Sequence, residues 1–148
     1  MRNHFYVLIY LLILSTFSCA QQNVIDSLLL QIKSGAADTN RVIYLCDLAW
    51  EYKNIGKYDT AIYYSETGYT LAEKIDYKTG VASAYNTLGV IYQIHGNYSE
   101  ALNYFFKTLK IAEETGNKSR MQATLGNIGV VYKKKVTILN HWITITKP

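Results

Sequence analysis

Apolar and polar positions alternate along this chain with a helical period, and the alternation itself recurs. It is clearest between Tyr85 and Glu113. Tyr85, Leu88, Gly89 and Tyr92 are spaced by three, one and three, which places them on one face of a helix. Gly96-Asn97 breaks that stripe with residues that tolerate positive φ. A second stripe then runs through Tyr98, Ala101, Leu102, Phe105, Leu109 and Ala112. Two amphipathic helices joined by a tight turn form an αα-hairpin whose apolar faces meet. A shift of forty residues lays Leu48 on Leu88, Tyr52 on Tyr92, Gly56 on Gly96, Tyr58 on Tyr98, Ala61 on Ala101 and Ala72-Glu73 on Ala112-Glu113. The same shift forward lays Leu125, Ile128, Gly129 and Tyr132 on Tyr85, Leu88, Gly89 and Tyr92. The pattern therefore predicts hairpins over about Arg41 to Ile55 with Tyr58 to Lys74, and Gly80 to His95 with Tyr98 to Glu114. A further first helix is expected over Arg120 to Lys135. Val24 to Ile32 predicts a helix capping the array, with Ser34-Gly35 as its stop and Asp38 or Thr39 as the N-cap of the next helix.

These residues resemble the tetratricopeptide repeat family. Its pattern sets a large residue, Leu-Gly and Tyr on the first helix, then Ala and an aromatic on the second. Here those are Tyr85, Leu88-Gly89 and Tyr92, then Ala101 and Phe105. The family's late proline is missing, with Glu73 and Glu113 standing nearby, and the period is forty where the family has about thirty-four. The extra residues fall at 75–80 and 115–120, and are expected to lengthen the helix or loop joining repeats. The resemblance covers roughly 40–135 and implies an all-α fold: an α-solenoid of antiparallel helix hairpins with two complete repeats and one orphan helix. The expected organisation is a leader at 1–22, a capping helix and loop at 23–40, and an array at 41–135. The array divides into 41–80, 81–120 and a partial repeat 121–135, with a separate tail at 136–148. An array closed by an orphan helix leaves its Leu125/Ile128/Tyr132 face uncovered, so low cooperativity or self-association is expected.

Composition changes this picture little. A length of 148 residues, 49% of them apolar, suits one domain with a core. The net charge of +4 comes from Lys and Glu mixed along the helices, so no stripe for nucleic acid stands out. The fourteen tyrosines read chiefly as large packing residues with a wettable tip. No arrangement of residues suggests an enzyme, a metal or a cofactor. His4, His95 and His141 share no ligand spacing with an acid or cysteine, and no glycine-rich loop separates a strand from a helix. Glu113 and Glu114 are adjacent on a helix and point apart. Cys46 reads as a small buried hydrophobe.

The N-terminus reads as a leader. Arg2 gives a positive start, Phe5 to Leu14 is an unbroken apolar run, and small residues end it. Ten apolar residues suit a secretory segment better than a membrane span. Two processing routes stay open. Ser18 and Ala20 fit cleavage before Gln21, which the residues slightly favour; Cys19 after Ser18 resembles a bacterial lipobox, imperfect because Thr16 stands where leucine is usual. The Tyr-, Lys- and Asn-rich composition points to a bacterial source, and hence to the periplasm or cell surface. Contact with a membrane is expected only through lipid on Cys19.

The resemblance further implies a concave groove lined by the first helix of each repeat. Facing away from the Leu88/Tyr92 stripe are Asn86, Thr87, Val90 and Gln93. Their counterparts are Cys46, Asp47, Trp50 and Lys53 in the first repeat, and Gly126, Asn127, Val130 and Lys133 in the third. The candidate partner-binding residues are thus Asp47, Trp50, Lys53, Asn86, Thr87, Gln93, Asn127 and Lys133. Amide and ammonium groups can hydrogen-bond an extended peptide while Trp50 supplies an apolar anchor. The expected function is an exported scaffold binding a protein or peptide. The alternative is a truncated extracytoplasmic sensory region of a bacterial signalling protein such as a histidine kinase.

The tail, 136–148, breaks the helical pattern with β-branched residues and reads as strand-like. The codons of Lys133-Lys134-Lys135 are runs of adenine, and one lost base there would explain the change. Restoring it forces leucine at the junction of His141 and Trp142 and aspartate at the junction of Trp142 and Ile143. The permitted residues around them include Gly-Asn-Tyr-Leu-Lys-Ser-Leu-Asp-Tyr-Tyr-His-Lys-Ala. That string falls in register on Gly96 to Thr108, so the tail is expected to come from a reading-frame slip and to pack poorly.

Overall fold

The computed structural model describes residue 6, residues 21–35 and residues 38–145. Six helices occupy the stretches after residue 20, and no strand occurs among the described residues. α1 covers residues 21–34. It is followed by α2 (Thr39–Asn54), α3 (Tyr58–Lys74), α4 (Lys78–Ile94), α5 (Tyr98–Glu114) and α6 (Lys118–Ile145). α2 with α3 and α4 with α5 are the two antiparallel hairpins that the periodicity predicts, and α6 opens a third unit against α5.

The turns set the period. Each joins its helices with three residues, and the middle one takes a positive φ: Gly56 at 77°, Asp76 at 54°, Gly96 at 79° and Gly116 at 66°. These positions lie twenty residues apart. In every turn the following amide donates back to the carbonyl five residues earlier: Lys57 to Tyr52 at 2.9 Å, Tyr77 to Ala72 at 2.8 Å, Asn97 to Tyr92 at 2.9 Å and Asn117 to Ala112 at 2.8 Å. This closure satisfies carbonyls that a helix end otherwise leaves bare, and it needs a residue that accepts the left-handed region. Helices of seventeen residues and turns of three account for the forty-residue period. The residues beyond the usual repeat length therefore lengthen the helices and leave the turns short. Caps begin some helices where the turn cannot. The Asp38 carboxylate accepts from the Arg41 amide at 3.1 Å, and the Asn117 side chain accepts from the Arg120 amide at 3.0 Å.

The core lies between stacked helices. Val42, Cys46, Ala72, Val81 and Ala84 bury one cluster, and Ala101, Leu102, Phe105, Ile128 and Val131 bury the next. Gly89 lets α4 and α5 approach: a Cβ there would lie 2.6 Å from Cε1 of Phe105. The tyrosines pack as ladders. Tyr69 stacks on Tyr85 with centroids 5.2 Å apart, Tyr85 meets Tyr104 at 5.7 Å, and Tyr104 stacks on Tyr92 at 5.5 Å.

α1 includes Gln21 and Gln22, and the Gln21 amide donates to Glu51 at 3.0 Å, tying α1 to α2. Two expectations about α6 change. Residues 136–145 continue α6 as helix, past the end expected at Lys135. The next turn position in the twenty-residue series is Val136, a β-branched residue unsuited to positive φ, so nothing stops the helix there. Side chains along this extension are exposed, Val136, Leu139, Trp142 and Ile143 among them. Ile128 does not belong to the open face of α6, since it is buried against α5, while Leu125 and Tyr132 are exposed.

Candidate functional site

The first helices, α2, α4 and α6, carry the groove positions at forty-residue intervals. On α2, Trp50 is 40% exposed and Lys53 folds over it, with the ammonium 3.3 Å from the ring centroid. Such a contact holds a long, flexible cation in place, so the exposed patch is apolar and positive at once. Burial lowers the Lys53 ammonium, opposed by nearby Glu51, while burial and then Glu51 raise the Asp47 carboxyl.

On α4 and α6 the amides meet. Asn127 donates through Nδ2 to Oδ1 of Asn86 at 3.2 Å, joining the two helices across the groove floor. The bond uses neither N–H of the Asn86 amide nor the Asn127 carbonyl oxygen, donors and an acceptor of the sort an extended backbone presents in return. Gln93 is half-buried, Lys133 is exposed at the far end, and Val130 is exposed between Asn127 and Lys133. Val90 leans onto the Phe105 cluster and contributes little surface.

Thr87 is a correction. It is 3% exposed, and its hydroxyl donates to the Ser83 carbonyl at 3.2 Å, so it offers nothing to a ligand. Packing between first helices closes over this position in the middle repeat, while the equivalent Asp47 stays exposed. Cys46 is likewise buried, with Sγ 3.8 Å from the Gly80 carbonyl oxygen. Cys19 lies outside the described residues.

Arg120 was missed at the sequence level. Its side chain is half-buried beside Asn86, Asn117 and Thr124, and Nη2 donates to Ser83 Oγ at 2.9 Å, pinning α6 to α4. The one signal for it is the Asn117-x-x-Arg120 spacing of a helix start, which says nothing about where the guanidinium goes. Among the described residues no group of three or more His, Cys, Asp or Glu could hold a metal ion. None of the described helices is long and apolar enough to cross a membrane.

Antiparallel hairpins, each stacked on the first helix of the next unit, define an α-solenoid repeat protein. Residues 51–114 match the family model described as tetratricopeptide repeat, so this stretch carries tetratricopeptide repeats. No curated protein matches the chain. Tetratricopeptide repeats are typically non-catalytic scaffolds that mediate protein–protein interaction, commonly by binding proteins or peptides.

Proposed function

We propose that this chain is an exported scaffold that captures an extended, acidic peptide segment of a partner protein along α2, α4 and α6. The observation that carries the reading is the Lys53–Trp50 pair, an exposed aromatic with a cation fixed 3.3 Å above its ring. Trp50 buries an apolar side chain of the peptide, Lys53 and Lys133 attract its carboxylates, and Asn86 and Asn127 engage its backbone. The basic balance of the chain, +4, favours an acidic partner. Export rests on the apolar run from Phe5 to Leu14 behind Arg2.

Selection from a random peptide library on the purified array, followed by calorimetry, tests the groove. Acidic extended peptides should be enriched. Trp50→Ala and Lys53→Glu should each weaken them about tenfold or more, the scale of an interface anchor. Phe106→Ala, at an exposed position on α5, should leave binding unchanged. Selected peptides that bind both groove variants as they bind the parent would refute the reading.

A further inference from the structure

α6 presents the surface of a first helix without its second. One flank is satisfied, with Ile128 and Val131 buried against Ala101, Leu102 and Phe105. The other carries Leu125, 52% exposed, Gly129, and Tyr132, 50% exposed. Forty residues earlier the same three positions are Tyr85, Gly89 and Tyr92, and all three are covered by α5 through Tyr104 and Phe105. A Cβ on Gly89 would collide with the Phe105 ring, whereas one on Gly129 would meet nothing within 4 Å. The first repeat shows the rule that links these pairs. There the first helix has Ala49 in place of glycine, and the second helix has Ser65 in place of the ring, both fully buried. A larger residue on one helix goes with a smaller one on the other, so the notch at Gly129 calls for an aromatic.

Two further features describe the occupant. Lys78 at the start of α4 pairs with Glu114 at the end of α5 at 3.0 Å, and the counterpart of Lys78 on α6 is Lys118. α6 also carries Arg120 and Lys133 to Lys135, with no acidic residue from 118 to 145. An apolar groove of about 520 Å³, lined in part by Tyr98, Tyr132, Val136 and Leu139, continues the same face. The site fits an amphipathic helix with a small residue, an aromatic four positions later and an acid nine beyond that. A second copy of this chain does not supply it. α1 and α3 place Ile25 and Ser65 where the ring belongs, Phe105 is already buried, and two α6 faces would oppose their lysines.

We infer that this face is the seat of the helix that the shifted reading frame encodes directly after Lys135. In that frame the position matching Ala101 is restricted to serine or proline. The position matching Tyr104 is restricted to tyrosine, asparagine or histidine, and the position matching Phe105 to those three or aspartate. The Gly129 notch selects tyrosine, whose six-membered ring matches Phe105, from the last set, and the Tyr92–Tyr104 stack selects tyrosine from the one before. The structure thus specifies silent bases: thymine as the third base of the Ile143 codon and of the Thr144 codon.

Two measurements test this. The coding DNA, read with one base added after Tyr132, should give tyrosine at both positions, serine at the place of Ala101 and an acid at the place of Glu114. A stop within the helix, or a histidine, asparagine or aspartate at the notch position, overturns the assignment. Independently, a synthetic peptide with the sequence of α5, Tyr98 to Glu114, should bind the purified chain one to one, followed by anisotropy of a dye on the peptide. Gly129→Leu, which fills the notch, should weaken binding at least tenfold; Gly126→Leu, at the groove position matching Asn86, should not. Equal binding by both variants, or a dimer of the chain that excludes the peptide, overturns the docking face.

Discussion

Substituting alanine at Gly89 and at Gly129 should move stability in opposite directions, although the two positions are equivalent in the repeat. Alanine inside a helix is favoured over glycine by about 0.5–1 kcal/mol, because glycine loses more backbone freedom on folding. Gly129 has no atom within 4 Å of a new Cβ, so that gain should appear undiminished. At Gly89 the Cβ would sit 2.6, 2.8 and 3.1 Å from three ring atoms of Phe105. Carbon atoms rest at about 3.5–4.0 Å, so the ring must retreat by about 1 Å. It has nowhere to go, since Phe105 is fully buried among Ala101, Leu102, Ile128 and Val131. Overpacking of this kind costs about 1–3 kcal/mol, and three close atoms put it in the upper part of that range. The net loss for Gly89→Ala is then about 1–2 kcal/mol. Urea unfolding followed by circular dichroism should lower the midpoint by about 0.5–1 M for Gly89→Ala, taking a slope of about 2 kcal/mol/M, and raise it slightly for Gly129→Ala. Adding Phe105→Leu to Gly89→Ala should cost less than the sum of the single changes. The reasoning fails if Gly89→Ala is as stable as the parent or if both alanines shift the midpoint the same way.

Cys46 should be nearly inert while the chain is folded. Burial first, then Asp47, push its thiol up to about 12 against a weaker pull from Arg120, so thiolate is about a thousandfold scarcer than in a free cysteine. Alkylation rates at neutral pH with and without urea should differ by at least that factor, and comparable rates would refute it. Thr124→Val should stabilise the array by about 1 kcal/mol, because the buried hydroxyl has no hydrogen-bond partner and valine keeps its shape; a lower urea midpoint would contradict this. The mass of the chain recovered from its host should show the N-terminus at Gln21 or a lipid on Cys19, and an intact Met1 in the cytoplasm would refute export.

Much of the fold could be read from the sequence because its signals are local. Glycines at 56, 96 and 116 announce the turns, and the apolar stripes between them have the helical period. Asp76 is the turn that glycine does not mark, and there the period alone placed the boundary. The groove was legible only in part. A helical wheel puts Thr87 on the same face as Asn86, but whether a neighbouring helix covers it depends on packing between repeats. Arg120 escaped for the same reason, since its partner Ser83 lies 37 residues away. The tail runs on as helix past Lys135 because β-branched residues are only weakly averse to helix, and a helix already running continues until something halts it; its exposed side chains are the poor packing expected of it.

The positive φ recurring at every twentieth residue makes this chain a counting device. Each fold back is decided by one backbone conformation, independent of what lies beyond it, so length can change in single-helix steps without disturbing earlier units. Where the series reaches Val136 that conformation is missing, the helix runs straight on, and its apolar side chains face solvent along 136–145.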